Sequence, residues 1–247
     1  MILKYIKIFT HNVRKNNFII NTSLKTQCFF NIIFIQESSW SFICLLSCLK
    51  NSEGEKLVRV PNHSSWMTFS RNTANSGDSP RVITYINIRL MSLCFFPCKD
   101  IFNYQNISCD FFVNYSLVYF LINVYLDSLQ LALKCLKDTE VDINNVLIMT
   151  SDFNIRDCSW DSNFRFHSIH KDVLLDIADF FHLEMSKPTN RIPTKYSANQ
   201  QELDLVIDLI FLRPTSLEYD NHSIHPDWHQ VRLLAIAFQS FINHHHS

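Results

Sequence analysis

Val146-Leu147-Ile148-Met149-Thr150-Ser151-Asp152-Phe153-Asn154 is the stretch on which the reading of this chain turns. Four consecutive apolar residues at its start read as a buried strand. An Asp and an Asn two positions apart at the end of that strand project the same way. The carboxylate can take a proton or face a metal, and the amide can donate and accept hydrogen bonds. Above a cleft, such a pair suits hydrolysis of a phosphate ester. Ser, Asp and Asn are also common turn residues, so the pair alone reads more readily as a plain turn.

Working outward, short runs rich in Ile, Val, Phe and Tyr recur at strand length. Tyr5–Phe9, Ile32–Ile35, Arg81–Leu90, Ser108–Phe112, Leu117–Val124, Leu205–Leu212 and Leu233–Phe238 join Val146–Thr150 as expected strands. Helical spacing of apolar residues marks Ile20–Phe30, Ser128–Thr139 and His170–Phe181. Strand and helix alternate early and strands dominate later, which predicts a mixed α/β protein with a largely buried sheet. The polar stretch Asn51–Asp78 reads as a long loop. No linker or internal repeat is evident, so residues 1–247 are expected to form one domain with a core of about 7–238.

Composition narrows the function classes. Hydrophobic residues at 47% and charged residues at 18% describe a folded chain rather than a disordered one. A formal net charge of -1 gives no global pull on nucleic acid, so such a partner needs a local basic patch. The start is too short and too charged for a signal peptide, and the apolar runs fall short of a membrane span, which predicts a soluble protein. The 8 cysteines include no CxxC pair and read as buried free thiols in a reducing compartment. With only 2 glycines, turns that need a positive φ must use Asn, Asp or Ser.

Several polar residues fall at strand ends, where loops over a sheet edge build sites. Asn12 follows the first strand, Glu37 the second, Tyr125 the strand ending in Val124, and Asp152 and Asn154 the strand quoted above. Asp208 lies within the apolar run Leu205–Phe211, where a carboxylate must be paired or hydrogen-bonded. It serves either structure or function. Arg156, Arg165 and Lys171 could meet phosphates near Asp152 or be ordinary surface charge, and Trp160 and Trp228 could stack on bases or pack at the core rim. His167 and His170 stand at a spacing that could suggest a metal, and are expected instead on the loop surface before the helix.

The ordered segments Thr10-His11-Asn12-Val13-Arg14, Phe34-Ile35-Gln36-Glu37, Ile122-Asn123-Val124-Tyr125, Ser151-Asp152-Phe153-Asn154 and Val206-Ile207-Asp208-Leu209 resemble the endonuclease/exonuclease/phosphatase superfamily. They are most similar to the apurinic-endonuclease-like domains of non-LTR retrotransposons. The resemblance runs from about Lys7 to Phe238. It implies a four-layer α/β sandwich, two mixed sheets face to face with helices outside, and Mg²⁺-dependent phosphodiester cleavage of DNA. In that reading Glu37 is the metal ligand, with Asn12 beside it. Asp152 orients or deprotonates water, Asn154 holds a phosphate oxygen, Tyr125 contacts the scissile phosphate and Asp208 orients a histidine. The substrate implies a nuclear location, although no strong basic cluster supports it, and no obligatory protein partner is evident.

The chain departs from the family at two points. Ser151 stands where a glycine is usual. The family's Ser-Asp-His precedes its last core strand directly, whereas Val231 and Arg232 precede the strand expected at Leu233–Phe238, and Leu233 and Leu234 fall at the matching positions. Asp227-Trp228-His229 offers an Asp and a His a few residues early. If His229 cannot serve, the rate should fall by orders of magnitude. Three functions are therefore in play: a retroelement-type nuclease, a catalytically inactive remnant that at most binds DNA, and a phosphatase of the same superfamily.

Overall fold

The apolar runs do form strands, and most continue one to three residues past the expected ends to reach the polar residues of interest. The structure, a computed structural model, describes residues 5–13, 16–38, 44–50, 52, 54, 56–70, 73–74, 81–90, 94–97, 107–114, 117–125, 146–153, 155–162, 164–186, 208–213, 217–224 and 231–238. Its strands are β1 (Tyr5–Asn12), β2 (Ile32–Gln36), β3 (Cys44–Lys50), β4 (Lys56–Arg59), β5 (Trp66–Phe69), β6 (Thr73–Ala74), β7 (Val82–Asn87), β8 (Cys94–Pro97), β9 (Ile107–Asn114), β10 (Leu117–Tyr125), β11 (Val146–Asp152), β12 (Glu184–Met185), β13 (Asp208–Leu212), β14 (Leu217–Ile224) and β15 (Val231–Phe238). The helices are α1 (Asn17–Thr26) and α2 (Ile169–Phe180), and a 3-10 turn at Ile88–Leu90 follows β7.

Two six-stranded sheets carry the fold, in the orders β14-β15-β1-β2-β7-β5 and β12-β13-β11-β10-β9-β8. The pairs β1/β2 and β10/β11 are parallel, the other pairings within these sheets antiparallel, so both are mixed, as expected for an α/β chain. A parallel pair needs a crossover, and α1 supplies it between β1 and β2. Asn16 caps α1 by accepting from the Phe18 amide at 3.1 Å, and Ser168 caps α2 by accepting from the His170 amide at 3.2 Å.

Every residue of β2 and β7 is buried, which requires cover on both faces of their sheet. On one face Phe9, Ile33, Ile35, Ile83 and Tyr85 pack with Ile20 and Leu24 of α1 and with Trp66. The Trp66 indole N–H donates to the Leu24 carbonyl at 2.9 Å and pins the helix over the strands. The other face of β1 meets the second sheet, where the Thr150 hydroxyl approaches the Thr10 hydroxyl at 3.4 Å. At the far side of the second sheet, Arg213 donates to the Phe181 carbonyl at 2.8 Å and ties the end of β13 to the end of α2.

Several expectations change. Asn51–Asp78 is not one long loop: it holds β4, β5 and β6, of which β5 extends the first sheet and the other two join β3 in a separate three-stranded sheet. With two to four residues each, these strands are too short for an apolar pattern to mark them. Arg81–Leu90 is strand only to Asn87 and then turns. The last strand begins at Val231, and Leu233 and Leu234 pair with Phe9 and Ile8 inside the sheet. They are therefore mid-strand residues, not the positions preceding it. Cys28 is an exposed free thiol, not a buried one, because it sits in the turn after α1. The expected helix at Ser128–Thr139 lies outside the described residues. Among the described residues no helix is long and apolar enough to cross a membrane.

Candidate active site

Two neighbouring strand ends form one half of the site. Asn12 closes β1 and Gln36 closes β2, and the two are paired in parallel register, so Glu37 emerges one strand spacing from Asn12. Asn12 is buried and Glu37 half-buried. Glu37 has φ 50°, a left-handed conformation that disfavours any side chain with a Cβ. Strain of this kind, on the order of 1–3 kcal/mol, concentrates at functional positions. Nothing in the Ile-Gln-Glu sequence announced it except the shortage of glycine.

A polar bridge lies just inside these ends. Gln36 Nε2 donates to Thr10 Oγ1 at 2.8 Å, and Thr150 Oγ1 lies 3.4 Å from the same oxygen. All three residues are buried between the sheets. In such a low-dielectric place a satisfied network fixes one packing arrangement. Thr10 stands two residues before Asn12 and Thr150 two before Asp152, which puts each within roughly 7 Å of the bridge along its strand. These residues were missed in the sequence. The signal was there, a threonine inside an apolar strand two positions before a candidate residue.

His11, between Thr10 and Asn12, faces the other way. It is 2% exposed, its Nδ1 is 3.5 Å from the Ser23 hydroxyl of α1, and its ring meets Phe9 edge-on at 5.7 Å. Burial pushes its pKa down to about 4, so the ring is neutral at pH 7.

The second sheet carries the remaining candidate residues. Tyr125 is in register with Asp152, and Asp152 with Asp208, so the three form one row across β10, β11 and β13. Asp208 thus opens a strand at its described end. Asn154 and His229, like Trp228, lie outside the described residues.

Beyond β11 the chain is anchored. Phe153 is buried edge-on against Phe211, with centroids 5.8 Å apart. The Asp157 carboxylate, fully buried, accepts from the Ser159 amide at 2.8 Å and the Ser168 amide at 2.7 Å, with His167 Nδ1 at 3.3 Å and Lys171 Nζ at 3.7 Å. Burial raises its pKa, but the hydrogen bonds from Ser159, Ser168 and His167 outweigh it and bring the value down to about 2. Potential ligand atoms of Asp157, Cys158 and His167 lie within 4.8 Å of one another, a set the sequence did not suggest. The Lys171 ammonium already stands beside them, 3.3 Å from His167 Nδ1, and makes the group an ion-paired clamp between loop and α2. His167 and His170 are exposed, as expected, His170 within the first turn of α2. Trp160 is half-buried, its indole N–H on the Ile155 carbonyl at 3.2 Å.

No protein-family model and no curated protein sequence matches the chain. Solved structures do. The endonuclease domain of TRAS1, a telomere-specific non-LTR retrotransposon, superposes with a TM-score of 0.69 at 13% identity, covering 96% of this chain and 100% of that one. An endonuclease/exonuclease/phosphatase family protein from Leptotrichia buccalis gives 0.55 at 12% identity, with 95% and 99% covered. The human Nocturnin catalytic domain gives 0.55 at 12% identity, with 96% and 94% covered. At such identities the likeness is one of fold.

Proposed function

Because the chain has the endonuclease/exonuclease/phosphatase fold, we propose that it is a Mg²⁺-dependent phosphodiester hydrolase that acts on DNA in the manner of a retroelement endonuclease. The reading takes residues 1–247 as one domain and extends the two sheets to a four-layer sandwich with helices on both outer faces. Its main support is register: Tyr125, Asp152 and Asp208 share one row, while Asn12 and Glu37 close neighbouring strands of the sheet that Thr10 joins to β11.

The donor set fits the metal. A half-buried carboxylate at Glu37 and a buried amide at Asn12 offer the hard oxygen atoms that Mg²⁺ prefers. Bound there, Mg²⁺ would neutralise charge on the phosphate oxygens and leaving group. Asp152 would orient the attacking water and take its proton. Asn154 and Tyr125 would donate to the phosphate oxygens as charge builds on them. Asp208 would orient the imidazole of His229. In sequence, His229 comes two residues before Val231, and Val231 pairs with His11, the neighbour of Asn12.

Nicking of supercoiled plasmid tests this. Purified protein should relax plasmid with Mg²⁺ and not with chelator, and Glu37→Gln and Asp152→Asn should each lower the rate at least about a hundredfold. Folded protein that binds plasmid without nicking it would identify an inactive remnant. Cleavage unchanged in Glu37→Gln would remove the proposed metal site.

A further inference from the structure

The loop that leaves the active-site strand turns its acids inward and its cations outward. Between Phe153 and α2 the sequence carries two acids, and both are buried: Asp157 at 0% and Asp161 at 1% exposure. Arg156 and Arg165 are exposed, as are His167 and His170 beside them. Among its described residues the loop thus presents two guanidinium groups and no exposed acid, on a chain whose net charge is -1; the next exposed acid in sequence is Asp172, in the first turn of α2. Next to Arg165 stands Phe166, 72% exposed, with Ile169 beyond it at 81%.

An exposed phenylalanine is usually tolerated surface, but this one is held. The Phe166 carbonyl accepts from the Cys158 amide at 3.2 Å. The following residues, His167 and Ser168, are both fastened to the Asp157 carboxylate. Phe164 meets the Phe166 ring edge-on with centroids 6.1 Å apart. A buried, ionised, multiply bonded Asp157 is a costly device for displaying an aromatic ring to water. The arrangement makes sense if the ring and its flanking guanidinium groups are presented, already ordered, to a ligand.

We infer that this loop is a docking surface for an unpaired nucleic-acid strand, with a base stacked on Phe166 and neighbouring phosphates on Arg156 and Arg165. A flat aromatic face accepts any base, and arginines match phosphate oxygens in pairs of hydrogen bonds. A protein partner or a lipid surface would use the apolar residues with less need for two arginines and no exposed acid between them. The inference rests on the proposed phosphodiesterase reading, since the loop begins directly after Asp152 and would feed a strand toward it. It adds that the substrate is a polymer with a splayed base, not a small phosphoester.

The test uses the full chain, without added metal, and a fluorescein-labelled single-stranded oligonucleotide followed by anisotropy, with a duplex of the same sequence alongside. Phe166→Ala should weaken single-strand binding about ten- to a hundredfold. Arg156→Gln combined with Arg165→Gln should flatten the dependence of log affinity on log salt by about 1.4, roughly 0.7 for each phosphate no longer neutralised. If Phe166→Ala binds as wild type, or if duplex binds as tightly as single strand and equally without the ring, the inference is overturned. If wild type fails to nick plasmid with Mg²⁺ yet binds the oligonucleotide through Phe166, the docking surface stands and the enzymatic reading falls. A thermal melt matched to wild type separates a missing stacking partner from a failure to fold, and Phe166→Tyr should restore binding.

Discussion

Acidification should unfold this protein in a window set by His11. Its ring is buried beside Phe9 and against α1, and burial lowers its pKa from 6.5 to about 4. The unfolded chain takes up the proton first, near pH 6.5, while the folded chain resists it to about 4. Stability is therefore complete above pH 6.5, falls as pH drops through the interval, and loses nothing more from this group below about 4. A difference of about 2.5 in pKa, at 1.36 kcal/mol for each, bounds the loss at about 3 kcal/mol. Roughly 2 kcal/mol of it comes between pH 7 and pH 5, a sizeable part of a typical domain's stability. The assay is urea unfolding at pH 7, 6 and 5, on wild type and on His11→Gln, which removes the titration and keeps a polar group opposite Ser23. The wild-type free energy should fall more steeply with pH than the variant's, by about 2 kcal/mol over the range. Parallel curves would refute the argument. The Asp157 carboxylate does not interfere, since its protonation falls between pH 3.8 and about 2, below the range of the measurement.

Three other outcomes follow from the same geometry. Glu37→Gly should raise the unfolding free energy by about 1 kcal/mol, because glycine accepts φ 50° without strain, while abolishing Mg²⁺-dependent nicking; urea melts and the plasmid assay check both on one sample. Asp157→Ala should cost about 2–4 kcal/mol, since the Ser159 and Ser168 amides lose their acceptor, and hydrogen exchange should speed up in the 155–170 loop before the sheets open. Thr150→Val should destabilise by about 1 kcal/mol and shift the resonances of Thr10 and Gln36 in the opposite sheet, which would show that the bridge couples the two.

What could be read in the sequence and what could not divides along a physical line. Strand interiors were legible because burial on both faces demands long apolar runs, as at Ile32–Ile35. Strand ends were harder, since the residues that finish β1, β2, β10 and β11 are the polar ones, and a polar residue after an apolar run looks the same whether it ends a strand or begins a turn. The Asp208 row with Asp152 and Tyr125 shows why order along the chain still helped: residues far apart in sequence meet only through strand register, and five short motifs in fixed order constrain register together. The short strands β4, β5 and β6 escaped because runs of two to four residues are too brief for an apolar pattern to stand out from a polar loop. One feature the sequence did not announce and one strand start placed two residues late share a cause. The positive φ at Glu37 and the start of β15 at Val231 are set by what the neighbouring strand imposes, Gln36 on Asn12 in one case and Val231 on His11 in the other. Tertiary pairing decided both, and it decided them at the same end of β1. The conformation of the carboxylate proposed to hold the metal and the sequence distance of His229 from the sheet therefore depend on one strand. A change that shifts β1 by two residues should move both at once, and so should abolish cleavage without altering any residue assigned to it.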